Sequence, residues 1–363
     1  MDSFNLDNMK KISWALIIVY LAIFILVGLI FYLFYAEKIF LPSLIQPSPS
    51  STAIISQIYY GLGNNLYRLN SELKTNPEED RIERFQSTGK VISLDIDNVG
   101  LKIAYDAKNA RNKISLWLVD TITNKQTLVT PADKKDFQDF LKPDFSPDGT
   151  KLAYLGQTDQ THQIIIKNLL NNSETILEPK IKSQTATYSW SKDSKKIIFC
   201  SENLADNACY QVEIANKQES PVFKGQIEEI SWDKTDKIVI LKKEDAKKNI
   251  FLANENGQDL INLTNLEPPM IAGQFRIDNQ GEKIIYEVWN GDRVNIYSTT
   301  LTGTETRQLT TDNISSNPIW SNDSEKIAYL KKYQGIFISF YNQSIEKKIA
   351  NLTQEDIRLL YWR

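Results

Sequence analysis

Histidine is all but missing from this chain. Among its 363 residues there is one, His162, and there are only two cysteines, Cys200 and Cys209. A zinc framework of Cys and His ligands cannot be assembled from that stock, and a metal site built on clustered imidazoles is excluded with it. Neither sign of charge prevails: 42 Lys and Arg stand against 45 Asp and Glu, interspersed, for a net charge of −3. A nucleic-acid groove needs a basic stripe, so no nucleic-acid partner is expected. No Gly-x-Ser-x-Gly is present to form a nucleophile elbow, and no Asp-x-Asp-x-Asp run has calcium-loop spacing. Catalysis and a bound cofactor are therefore not expected.

Charge is also missing from one long stretch. Ile12 to Ala36 holds no charged residue and is dominated by Ile, Leu, Val, Phe and Tyr. As a helix rising 1.5 Å per residue it spans a ~30 Å hydrocarbon core. Trp14, Tyr32 and Tyr35 sit near its ends as interfacial aromatics do. The alternative is a cleaved signal peptide, against which stand the length of the apolar core and the lack of an A-x-A-like cleavage site. Lys10 and Lys11 before the run, against Lys38 after it, place the short N-terminus (1–11) in the cytosol and the remainder outside, periplasmic or extracellular. Residues 37–53 follow as a Pro/Ser-rich linker, extended and semi-stiff.

What is abundant is one phrase, repeated. Asp144 to Tyr154 reads DFSPDGTKLAY: an aromatic, a Pro-Asp-Gly turn, then an alternating apolar run. Pro presets the first turn position, Asp bonds to backbone two residues on, and Gly accepts φ > 0, so the phrase predicts a β-hairpin. Looser copies run from Asp95 to Tyr105, Ser189 to Phe199, Ser231 to Leu241, Arg276 to Tyr286 and Ile319 to Tyr329, and Leu360-Tyr361-Trp362 closes the chain with a last echo. The step is roughly 42 to 49 residues, the period of four-stranded propeller blades. Approximate blade limits are 88–131, 132–181, 182–225, 226–265, 266–311 and 312–352. Ahead of them, Ile54 to Tyr60 and Asn65 to Asn70 form a hairpin around Gly61-Leu62-Gly63, and Arg81 to Gln86 is a third strand. These three lack a first strand, and Ile357 to Trp362 is a first strand with none after it. The two fragments predict a seven-bladed, all-β propeller over 54–363, closed where the C-terminal strand joins the N-terminal ones. In several blades the fourth strand ends in a Leu-Thr or Leu-Val pair, as at Leu128-Val129, Leu263-Thr264 and Leu309-Thr310. Pro131 to Lys142 reads as a solvated loop or one helical turn.

The pattern F/W-S-x-D-G/S-x-K-I/L-A-Y, followed by an I-x-I strand and R-x-L-T, resembles the WD40-like propeller repeats of the TolB type, from residue 54 to the end. The resemblance implies two settings: the periplasmic TolB component of envelope complexes, and the propeller that precedes the peptidase domain in dipeptidyl-peptidase and prolyl-oligopeptidase enzymes. TolB has six repeats and a separate α/β domain, whereas this chain shows seven repeats and a membrane helix.

Phe145, Trp190, Trp232, Trp320 and Trp362 fall at a fixed offset from the turn. That regularity marks them as inter-blade core rather than as a ligand cage. Asp148, Asp193 and Asp323 satisfy turn amides, and Gly149 supplies the positive φ of its turn. His162 reads as an exposed loop residue. Cys200 and Cys209, at the ends of neighbouring strands of one blade, are a candidate disulfide if the domain lies outside the cytosol, the alternative being two buried thiols. Asn-x-Ser/Thr triplets at Asn171, Asn262, Asn313, Asn322, Asn342 and Asn351 matter only where such sites are glycosylated. The expected function is a membrane-anchored, non-catalytic scaffold that binds an envelope protein or peptide. The alternatives are a small-ligand or glycan sensor in the central funnel, and a gating propeller for a separate peptidase.

Overall fold

In the computed structural model, residues 56–63, 65–70, 82–85, 89–129, 137–159, 161–178, 185–201, 207–343, 345–353 and 357–362 are described. The chain divides into two units, Met1–Ile54 and Ile55–Arg363, of which the second is the propeller. The expected membrane helix and linker lie outside the described residues. Among the described residues no helix is long and apolar enough to cross a membrane.

Alternating apolar positions around tight turns give strands from end to end. First come β1 (Gln57–Leu62), β2 (Asn65–Asn70) and β3 (Ile82–Phe85). Blade 2 holds β4 (Lys90–Ile96), β5 (Lys102–Lys108), β6 (Ile114–Asp120) and β7 (Gln126–Leu128). Blade 3 holds β8 (Asp139–Phe145), β9 (Lys151–Gln157), β10 (His162–Asn168) and β11 (Glu174–Leu177). Blade 4 holds β12 (Thr185–Trp190), β13 (Lys196–Ser201), β14 (Ala208–Glu213) and β15 (Gln218–Lys224). Blade 5 holds β16 (Gln226–Trp232), β17 (Ile238–Glu244), β18 (Lys247–Ala253) and β19 (Ile261–Asn262). Blade 6 holds β20 (Met270–Ile277), β21 (Lys283–Asn290), β22 (Arg293–Thr300) and β23 (Arg307–Gln308). Blade 7 holds β24 (Ser315–Trp320), β25 (Lys326–Lys331), β26 (Gly335–Phe340) and β27 (Glu346–Ala350), and β28 (Ile357–Trp362) ends the chain.

Seven four-stranded antiparallel sheets result, and blade 1 has the order β28-β1-β2-β3. Trp362 pairs with Ile58, Tyr361 with Tyr59 and Ile357 with Leu62, so the two ends of the propeller share one sheet. The Trp362 indole N–H donates to Ser56 Oγ at 2.5 Å, fastening the seam. Both partial blades lose their open edges this way, which is the physical gain of closure.

The core lies between blades. Trp362 packs with Ile319, Ala328 and Leu330 of blade 7, Trp320 with Ile285 and Ile296 of blade 6, and Trp232 with Ile198, Cys200 and Cys209 of blade 4. Trp190 meets Ala153 and Leu155 of blade 3, and Phe145 meets Ala104 and Leu116 of blade 2. Each aromatic thus faces the blade before its own, and all five are buried.

Four details depart from the sequence reading. The first hairpin turns one step later than expected, because Gly61 and Leu62 pair with Leu66 and Asn65 inside the ladder. His162 is not an exposed loop residue: it opens β10, pairs with Gln157 and is buried. The stretch expected as a loop through Lys142 already becomes strand at Asp139. The Leu-Thr pairs stand just beyond the fourth strands, where Leu263 is buried and the Thr264 and Thr310 hydroxyls accept the N–H groups of Ile250 and Ile296.

Candidate functional site

The repeated turns form one face of the ring, and two chemical solutions build them. In blades 3, 4 and 7 a buried Ser (Ser146, Ser191, Ser321) accepts the N–H of the next strand's first residue and donates to the Asp two positions on. In blades 2, 5 and 6 an Asp stands at the Ser position (Asp97, Asp233, Asp278) and takes the turn amides directly. Asp148, Asp193 and Asp323 accept the amides of Thr150, Lys195 and Glu325, the role expected of them. Desolvation would raise the Asp148 carboxyl, but the Ser146 hydroxyl and the Thr150 amide and hydroxyl outweigh it and hold the group at about 2. Gly149 has φ +68°, and a Cβ there would come within 2.8 Å of Asn98 Oδ1.

Turns of adjacent blades are tied to one another. Asn98 Nδ2 donates to Pro147 O, the Asp148 N–H to Ser194 Oγ, Lys234 Nζ to Asn279 O, and Asn279 Nδ2 to Asn322 O. Inside this girdle the central channel opens as a cavity of about 480 Å³. Its wall includes Trp190, Trp232, Trp320 and Trp362, the cations Lys192, Lys234 and Arg276, and Asn98, Asn279 and Asn322. The tryptophans are core residues whose edges also reach the mouth, so the two readings of them are not exclusive.

The second turn of each blade, between its third and fourth strands, packs on this same face. Thr121 N–H donates to Leu101 O, Leu169 N–H to Thr150 O, Leu301 N–H to Glu282 O and Tyr341 N–H to Glu325 O. Exposed large apolar side chains collect there: Val99, Leu101 and Ile122 on blade 2, Leu170 on blade 3, Leu260 and Ile261 on blade 5, and Ile345 on blade 7. These side chains lie on the same face as the channel mouth.

Deeper in the channel wall is a feature that sequence reasoning missed. Every first strand carries a bulge against its second, for instance at Leu141/Asp144, Ala272/Phe275 and Ser316/Ile319. Pro143 and Pro318 sit in these bulges, where no ladder N–H is needed. Lys142 and Asn317, just before them, take φ of 52° and 57°. The N–H groups this frees are received by buried carboxylates: Lys142 and Ser93 donate to Asp106 at 2.9 and 2.6 Å, and Asn317 donates to Glu287 at 2.7 Å. Asp106 and Glu287 both follow the aromatic that ends the repeated phrase, which is the signal that could have found them. Burial raises the Asp106 carboxyl above its usual range in spite of those donors.

One residue before the phrase position held by Ile96 in one blade and Phe145 in the next, Asp95 and Asp144 meet across the interface of blades 2 and 3. Asp95 Oδ2 accepts the Phe145 N–H at 2.7 Å, and the two carboxyls hydrogen-bond each other. Burial pushes Asp95 up to about 6, and burial together with the Asp95 charge lifts Asp144 well above the carboxylate range. The pair therefore shares a proton between one blade and the next.

At the opposite end of blade 4, Cys200 and Cys209 face each other across β13 and β14, buried, with their sulfurs bonded. Among the described residues no cluster of His, Cys, Asp and Glu could hold a metal ion.

No family model matches the sequence, and no curated protein matches it. Solved structures do. The fold is that of the TolB-type propellers. TolB from Acinetobacter baumannii superposes with a TM-score of 0.53 at 17% identity, over 71% of this chain and 64% of that one. A prolyl endopeptidase gives 0.64 at 14% identity, over 84% of this chain and 49% of its own. Oligogalacturonate lyase from Vibrio parahaemolyticus gives 0.59 at 10%, over 82% and 85%. The chain thus spans under two thirds of TolB and about half of the prolyl endopeptidase.

Proposed function

We propose that this chain is a binding scaffold whose turn face docks a protein or peptide partner of the cell envelope. The observation that supports it is one of coincidence: the channel mouth and most of the exposed large apolar side chains lie on the same face. The fold shared with TolB fits such a role, although a propeller by itself does not specify a function. In this reading residues 12–36 tether the scaffold to the membrane, the propeller lies outside the cytosol, and the Cys200–Cys209 bond belongs to that oxidising side. The scaffold has no chemistry of its own, and the Asp95–Asp144 pair serves the blade interface.

A photo-crosslinking residue tests the docking face. Placed at Leu170 or Ile122, it is expected to capture a discrete partner in cells, while at Tyr333, in a turn on the other face, it captures none. Capture from Tyr333 alone would overturn the assignment. The tether is tested separately: the chain is expected to stay in the membrane pellet through a carbonate wash, and a chain lacking 12–36 to be released. Release of both would remove the membrane from the proposal.

A second reading, a small ligand in the funnel, also has an observation in its favour. The mouth is lined by converging polar and aromatic groups rather than by aliphatic side chains alone.

A further inference from the structure

In blades 2 to 7 the first strand passes into the second through a turn on one and the same face of the ring. Blade 1 has no such turn: its first strand, β28, lies at the other end of the propeller's sequence from its second, β1. Trp362, which lines the channel mouth, pairs with Ile58 and donates its indole N–H to Ser56 Oγ. Ser56 therefore stands beside the mouth, and the chain ahead of it enters the propeller through the turn face.

That entry point limits which face a membrane can see. Residues 37–55 join Ser56 to the uncharged run at 12–36. As a flexible coil a connector of that length spans about 25 Å, and as an extended, proline-stiffened rod about 60 Å. To present the opposite face it would have to pass over β2 and β3 to the rim, about 10 Å, and then follow the length of a strand, about 20 Å. The detour alone exceeds the span of the coil, and a stiff rod does not fold back.

We propose that the turn face is the membrane-facing one and that its partner is an integral membrane protein, docking through apolar side chains of its outer, membrane-proximal part. This rests on the docking reading of the turn face and on the tether at 12–36. Val99, Ile122, Leu170, Leu260 and Ile345 are exposed apolar side chains spread over blades 2, 3, 5 and 7. Contacts so dispersed bury little area each. They suffice when both partners are confined to one membrane, because tethering supplies a high effective concentration. Charge favours a protein over the bilayer itself as the occupant. Exposed Asp148, Asp193 and Glu325 stand among Lys192, Lys195 and Lys234 on that face, without the basic excess that anionic lipid attracts. Mixed charge around apolar contacts suits the polar rim of a protein interface.

The test uses the full chain with a photo-crosslinking residue at Leu170 and a specific protease sequence inserted after Ser51. Cells are irradiated, membranes are collected, the connector is cut and the pellet is washed with carbonate. Propeller that has not reacted is expected in the supernatant, whereas the cross-linked adduct is expected to stay in the pellet, held by the partner's own membrane span. Release of the adduct with the free propeller would overturn the integral partner while leaving the docking face standing. Adducts with lipid alone would make the bilayer the occupant and overturn it as well. A second arm doubles the connector by repeating residues 37–55, and the adduct yield is expected to fall about threefold as effective concentration drops. An unchanged yield would show that the tether does not deliver this face to its partner, and would overturn the orientation. If neither Leu170 nor Ile122 yields an adduct, the docking reading falls and this inference with it. If the full chain is released by carbonate before cutting, the tether fails and the inference falls, with the docking face still decided by cross-linking.

Discussion

Asp95 and Asp144 give the ring a titratable joint. Both carboxyls sit above their ordinary range in the folded protein, so the fold binds their protons more tightly than the unfolded chain does. Their stabilising contribution is then fully present below about pH 4 and is lost as pH rises through about 6 for Asp95, and higher for Asp144. The turn carboxylates act in the opposite sense and in another window: Asp148, held at about 2, loses its contribution as pH falls from about 4 towards that value. Asp144→Asn keeps a donor for Asp95 and removes the second negative charge. Urea unfolding at pH 5 and pH 8 should show the parent chain weakening over that interval and D144N weakening less, because burial still raises Asp95 there, with a gain of roughly 1–3 kcal/mol at pH 8. An unchanged slope in D144N would show that the pH dependence arises elsewhere.

At the scale of the element, the turn has a two-position code. Where the first position is Ser the third is Asp, and where the first is Asp the third is Val, Thr or Gln, as in Asp97-Asn98-Val99, Asp233-Lys234-Thr235 and Asp278-Asn279-Gln280. Both arrangements put an oxygen against the same turn amides. Ser191→Ala, at a buried position, should cost about 1–3 kcal/mol by leaving the Lys196 N–H unanswered. Ser191→Asp combined with Asp193→Thr should recover most of that loss in thermal unfolding, because it rewrites the blade 4 turn in the chemistry of blade 5. Failure of the double variant would mean that the two solutions depend on more than the turn itself. The turns and their apolar flanks were legible in the sequence because they are local and repeat. The bulges were not: a one-residue slip against the neighbouring strand appears only when both strands are paired, and Pro143 and Pro318 were its only local traces.

For the whole molecule, stability depends on closing a ring with the two ends of the propeller. Trp362 is the hinge of that argument, since it pairs with Ile58 and packs on blade 7 at once. Trp362→Ala should cost about 3–5 kcal/mol, read as a lower denaturant midpoint with early hydrogen exchange in blades 1 and 7. Loss spread evenly over all seven blades would instead indicate that the seam is no weaker than any other interface.

The sequence alone determined the number of blades, their limits, the seam between the propeller's two ends and the aromatic positions of the core, because a repeat of fixed period needs only local pattern to be recognised. It also placed the turn carboxylates and brought Cys200 and Cys209 to facing strand ends. Only the tertiary structure decided that His162 is buried, that Asp95 meets Asp144, and that Asp106 and Glu287 receive amides freed by bulges. Each of these is a relation between strands or blades that no local pattern records, and such relations come into being only when the strands pair and the blades pack and set their distances.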